Sequence, residues 1–161
     1  KEIISDVEGV EMDLPEIQSL DPQEIITEKL NEVVKEKEGS YFVEDVSLYL
    51  ECLNGFPGPL IKWFLDRLGN QGIFELVSNY ENRNAVVKAV IGYSDGKDIH
   101  FFTGEIKGKI VAPRGESNFG FDPIFEVNGK TFAEMKASEK NEISHRKQAL
   151  MKFKEFLEKH G

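Results

Sequence analysis

The segment YFVEDVSLYLECL, from Tyr41 to Leu53, is nearly continuous in apolar, β-branched and aromatic residues and predicts a strand buried on both faces. Two adjacent acids interrupt it. Side chains alternate across a strand, so Glu44 and Asp45 are expected on opposite faces, neither obviously in water. An ionised, unpaired carboxylate there costs on the order of several kcal/mol, so each acid needs a cation, a metal or a set of donors. Packing gives no reason for such a pair, and a functional one outweighs it.

The elements around this strand follow from local signals. Asp21 as N-cap, Pro22 in the first turn and Glu24 closing a capping box open a helix with apolar Ile25, Ile26, Leu30, Val33 and Val34, stopped near Lys35, Lys37 and Gly39. Lys29 lies in its apolar stripe, either snorkelling to the edge or serving a ligand. NGFPGP is a turn into a helix with apolar Leu60, Ile61, Phe64, Leu65 and Leu68, ended by Gly69 and followed by a second helix from Gln71 to Ser78. Lys62 and Trp63 sit beside its stripe, Trp63 as a core residue. NAVVKAVIGY and KDIHFFTGEI, joined by SDG, form a β-meander, and the KIVAP segment ends in a polar PRGES loop. In FGFDPIFEVNGKT, Asp-Pro and Asn-Gly mark turns between short strands. The last helix runs from Ser144, its N-cap, to Lys159, which puts His145 and Arg146 in a first turn where positive charge is disfavoured. They serve a ligand there, or Arg146 pairs with an acid. KEIISDVEGV resembles the end of a helix entering a turn, so further sequence is expected upstream.

At 161 residues the chain predicts a single domain, and its balance of 40% apolar and 30% charged residues is that of a soluble globular protein. No apolar run approaches the roughly 20 residues of a membrane span. A net charge of -9 argues against nucleic acid, whose binders carry a basic face, yet leaves room for a phosphorylated ligand neutralised by a cation and local lysines. The lone Cys52 and the lack of a signal-like segment point to a reducing, cytoplasmic setting.

The unusual residues are then Glu16 in DLPEIQ, Glu44 and Asp45, Lys29 and Lys62, and His145 with Arg146. Hard carboxylates suit Mg²⁺, which binds through one or two protein acids plus substrate phosphates. Zinc is disfavoured, because the one Cys and three His show no ligand spacing. Converging lysines supply charge for a polyphosphate, and no GxxxxGK(S/T) loop occurs. Phosphoryl or nucleotidyl hydrolysis is the chemistry suggested.

DLPEIQ, FVEDVSLYLECLNGFPGPLIKWFL, KIVAPRGESNFGFDPIF, TFAEM and EKNEISHRKQAL resemble, in order and spacing, the inosine triphosphate pyrophosphatase family, from about Leu14 onward. That resemblance implies a mixed α+β fold, an elongated two-lobed domain whose central mixed sheet is flanked by helices, assembled as a homodimer. It implies hydrolysis of ITP, XTP and their deoxy forms to the monophosphate and pyrophosphate with Mg²⁺, Mn²⁺ being a substitute. Carried over by motif, Glu16 and Asp45 hold the metal, Asp45 also accepts the proton of the attacking water, and Glu44 supports them. Lys29, Lys62 and Lys140 contact phosphate and nucleotide. Phe119, Gly120, Phe121 and Asp122 receive base and sugar, and His145 and Arg146 close over the base edge. O6 of hypoxanthine or xanthine accepts a hydrogen bond, whereas the 6-amino group of adenine sets donor against donor.

Two departures stand out. The family's N-terminal strand and TGNxxK-like motif do not occur in the chain, and the Ser or Thr usual after the acid pair is replaced by Val46 and Ser47, which predicts a missing hydroxyl beside Asp45. Two rivals follow: a nucleotide binder without turnover, and a Maf-like pyrophosphatase for other modified nucleotides.

Overall fold

The computed structural model describes Gly9, Met12, residues 14–116 and residues 120–160. The expected helix end in KEIISDVEGV and the place of Phe119 lie outside the described residues.

The first helix, α1 (Pro22–Glu36), is capped by Asp21, whose side chain accepts from the Gln23 N–H at 2.9 Å. Glu24 does not close a box onto Asp21. It accepts instead from the Ser19 hydroxyl at 3.0 Å, and that hydroxyl accepts the Asp21 N–H at 3.0 Å, so Ser19 relays the cap. β1 (Tyr41–Leu50) stops short of Leu53 because Glu51–Leu53 coil into a single 3₁₀ turn ended by left-handed Asn54, φ 55°. β2 (Pro57–Gly58) pairs briefly with β1, and α2 (Ile61–Ser78) follows. Gly69 (φ 69°, ψ 173°) interrupts α2 where the sequence predicts the boundary between two helices. β3 (Asn84–Ser94) and β4 (Ile99–Ile110) form the long hairpin of the meander. β5 (Phe125–Val127) and β6 (Lys130–Thr131) turn about Asn128-Gly129, and α3 (Ala137–Ile143), which the sequence reading does not contain, precedes α4 (His145–His160). The strand order is β2-β1-β3-β4-β5-β6. Every ladder among the described residues is antiparallel, so the mixed sheet implied by the resemblance is not seen in them; hairpins and a meander need no parallel crossover.

The β1–β3 register, with Asp45 opposite Val90 and Leu48 opposite Val87, sorts the side chains into two faces. One face packs Ile26 and Leu30 of α1 against Val90, with Val43, Ile99 and Phe101 around them. The other face carries two apolar clusters. Ala149 and Phe153 of α4 cover Ala89 and Ile91 at one end of the strands. At the other end Ile61, Ile73 and Val77 of α2 meet Leu48, Leu50, Val87, Phe125 and Phe132. Trp63 is no core residue: it is 46% exposed, and Leu68 is 42% exposed, because the break at Gly69 lets the second half of α2 turn Ile73 and Val77 inward.

α1 lies so close to the sheet that a Cβ on Gly92 would overlap the Ile26 side chain and come within 3.3 Å of Leu30. Gly92→Ala is therefore expected to lose about 1–3 kcal/mol of stability through overpacking, measured by urea unfolding, with α1 pushed off β3.

Candidate functional site

Alternation along β1 places Asp45 and Ser47 on the α1 face and Glu44 on the α4 face, as its sequence predicts, although both acids are half-buried rather than sunk. The strand is less enclosed than its apolar run suggests, and the two helices nearest it each bring a cation.

On the α1 face Lys29 contacts Glu16 at 2.9 Å, its side chain only 15% exposed. Burial pushes the Asp45 carboxyl up to about 6; the Lys29 charge opposes this, while the charges of Glu16 and Glu44 add to it. The Ser47 hydroxyl donates to Asp45 at 3.4 Å. The hydroxyl expected to be missing beside Asp45 is thus supplied two residues on, from the same face of the strand. Tyr49, next along this face, has its hydroxyl pKa raised by burial, with Ser47 opposing, and Asp45, Asp21 and Glu105 contribute negative charge around it. Lys88 lies over the Tyr49 ring at 5.1 Å.

On the α4 face Arg146 Nε reaches Glu44 at 3.0 Å. Ser144 caps α4, accepting from the N–H groups of Arg146 and Lys147 at 3.1 and 3.4 Å. His145, beside it, is buried, and desolvation, then the charges of Lys140 and Arg146, bring its pKa down to about 4. It is neutral at physiological pH, and Arg146 is paired, so the predicted conflict with the helix dipole is resolved twice over. His145 stacks on Phe132 at 5.9 Å and 9°, and Lys140 approaches the same ring at 5.3 Å while pairing with Asp122 at 2.6 Å. His145 Nδ1 is buried without a hydrogen-bond partner among the described residues. Gly120 adopts φ 44°, and its carbonyl accepts from Asn70 at 3.0 Å. Phe121 is buried against Phe125, so its ring is a wall of the core rather than an open stacking face.

Two clusters result. Glu16, Lys29 and Asp45 come together on one face of β1, and Glu44, Asp122, Lys140, His145 and Arg146 gather toward α4 on the other. Among the described residues no strand pairs with the outer edge of β1 from Tyr41 to Ser47. Lys62 joins neither: its ammonium lies 5.4 Å from the centroid of the exposed Trp63 ring, with no ion pair or hydrogen bond among the described residues. Phe132, Ser47 and Tyr49 are the site-lining residues that sequence reasoning missed. Ser47 and Tyr49 carried a signal, their period-two spacing from Asp45, and Phe132 carried none.

An antiparallel α+β protein with acids and cations disposed about one strand is the class so defined. The chain belongs to the Ham1 family, whose model matches residues 1–156. It is similar to the inosine triphosphate pyrophosphatase of Emericella nidulans, with 41% identity over 96% of this chain and 85% of the relative. The Neurospora crassa protein of the same name is 43% identical over 95% and 81% of the two chains. Among solved structures, the HAM1 protein of Coxiella burnetii aligns with a TM-score of 0.82 and 28% identity, covering 91% of this chain and 82% of that one. A Mycobacterium abscessus structure described as a nucleoside-triphosphatase and dITP/XTP pyrophosphatase aligns with a TM-score of 0.72 and 28% identity over 92% and 83% of the chains.

Because Asp45 is raised from 3.8 to about 6, its charge is a burden to the folded state above pH 6 and none below pH 4, where it is protonated folded or unfolded. Ligand-free Asp45→Asn should melt higher than the parent chain at pH 7.5, the gap closing as pH falls to 4; calorimetry at the two pH values checks it.

Proposed function

We propose that the chain hydrolyses ITP, dITP and XTP to the nucleoside monophosphate and pyrophosphate, a reading supported by relatives named inosine triphosphate pyrophosphatase and dITP/XTP pyrophosphatase. The observation that carries this reading is the half-buried Asp45, poised near neutrality beside Lys29 and Glu16 on the strand whose other face holds Arg146. A carboxylate with pKa about 6 is largely ionised at pH 7 and basic enough to take a proton from water. Water attacks the α-phosphorus as Asp45 accepts its proton; the bond from that phosphorus to the α–β bridging oxygen breaks, and pyrophosphate leaves.

Among the described residues no three His, Cys, Asp or Glu are arranged to hold a metal. Two hard carboxylates, Glu16 and Asp45, on one face of the strand nevertheless suit a divalent cation that would take its other ligands from water and phosphate. Mg²⁺, or Mn²⁺ in its place, would neutralise phosphate oxygens there. Lys29 is the ammonium nearest these acids and supports the tail of the substrate; Lys62, farther along the chain on α2, belongs to the same proposal only if the tail extends to it.

Recognition of the base falls to the α4 side. Glu44 engages Arg146 through Nε and so orients the guanidinium, whose terminal N–H groups have no partner among the described residues. Arginine only donates, so it favours the O6 acceptor of hypoxanthine or xanthine over the 6-amino group of adenine. Neutral His145, and Lys140 held by Asp122, complete this edge with Gly120 and Phe121 behind it; Phe119 is assigned to the base only by the resemblance. Action as a homodimer and a cytoplasmic setting belong to the same proposal. No described helix is long and apolar enough to cross a membrane.

Pyrophosphate release from ITP in Mg²⁺ tests the reading. Asp45→Asn should retain the fold and lose about 10²–10⁴-fold in kcat, the usual worth of a general base; an unchanged rate removes Asp45 from that role. Arg146→Ala should lower kcat/KM for ITP more than for ATP, and equal losses would contradict reading of the base edge.

A further inference from the structure

We propose that Gln148 is a positioning residue for purine discrimination: with Gly104 it clamps the first turn of α4 onto the open edge of β4. The inference rests on the assignment of His145 and Arg146 to the base edge.

β5 joins β4 only at Lys109 and Ile110, which leaves the backbone groups of Thr103 and Glu105 on that edge without a strand partner among the described residues. α4 satisfies them with side chains. The Gln148 carboxamide accepts from the Glu105 N–H at 3.2 Å and donates to the Glu105 carbonyl at 3.1 Å, reproducing the pair of bonds a neighbouring strand would make. One turn farther on, Lys152 donates to the Thr103 carbonyl at 2.7 Å.

Between these anchors stands Gly104. A Cβ there would overlap the His145 carbonyl oxygen and lie 2.6 Å from Gln148 Cβ and 2.8 Å from the Ala149 nitrogen. The backbone of the first turn therefore rests directly on the backbone of β4. Gln148 also closes that turn, its N–H donating to the Ser144 carbonyl at 3.2 Å. His145 and Arg146 lie between the cap and the clamp, so the bonds of Gln148 to β4 set where both side chains project. Displacements near 1 Å in positioned groups can cost as much as about 100-fold, and groups that read the base rather than the reacting atoms lose it in binding. Lys152 anchors the helix beyond the recognition turn and serves as a control for stability alone.

The test is kcat/KM for ITP and ATP with thermal melts, on the full chain. Gln148→Ala and Gly104→Ala are each expected to lower the ITP-to-ATP ratio about tenfold, with the loss mainly in KM. Lys152→Met is expected to lower Tm and leave the ratio within twofold. A Gln148→Ala protein that melts lower yet keeps the parental ratio overturns the inference. Should that variant not fold, Gln148→Glu, which keeps the acceptor and loses the donor, carries the same expectation and the same overturning result. A parent chain without preference for ITP over ATP would instead overturn the functional reading beneath it.

Discussion

Everything at the site depends on the two-residue period of β1. Because consecutive side chains leave a strand on opposite sides, one pair of neighbouring acids provides a carboxylate to each face, and each then meets a cation from a different helix. Asp45 shares its side with Lys29 of α1, and Glu44 meets Arg146 of α4. A slip of one residue in the β1–β3 register would exchange the acids and strand both helical cations. The apolar clusters on either side of the strand hold that register, so packing far from the acids decides their chemistry.

Helices can reach the acids only where the sheet lets them approach. Gly92 beneath α1 and Gly104 beneath α4 lack the side chain that would keep those helices away, and they lie on β3, the neighbour of β1, and on β4, one strand farther, rather than on β1 itself. Acid-bearing strand and docking strands thus divide the work. β1 carries the two acids beside its core residues Leu48 and Leu50, while β3 and β4 provide seats for the helices that bring cations toward it.

Much of this was legible in the chain. The cap at Asp21, the helix start at Ser144, the break at Gly69, the meander and the opposed acids all rest on local rules that a few neighbouring residues settle. What local rules could not reach was set by partners distant in sequence. Trp63 looked like core from its neighbours, but the break at Gly69 decides what α2 buries. Ser47 could be placed on the face of Asp45, yet its donation depends on rotamers rather than on spacing. The Phe132 ring, covered by His145 and approached by Lys140, and the hold of Gln148 on Glu105 join segments that only the fold brings together.

Arg114 sits where several of these segments meet. Its N–H donates to the Pro123 carbonyl at 2.9 Å, its carbonyl accepts from Thr131, and its guanidinium engages Glu126 and Glu134. Arg114 and Pro123 are therefore fastened to each other, and Arg114 to the β5–β6 hairpin. Such fastening is redundant: loss of either carboxylate partner leaves the two main-chain bonds of Arg114 in place.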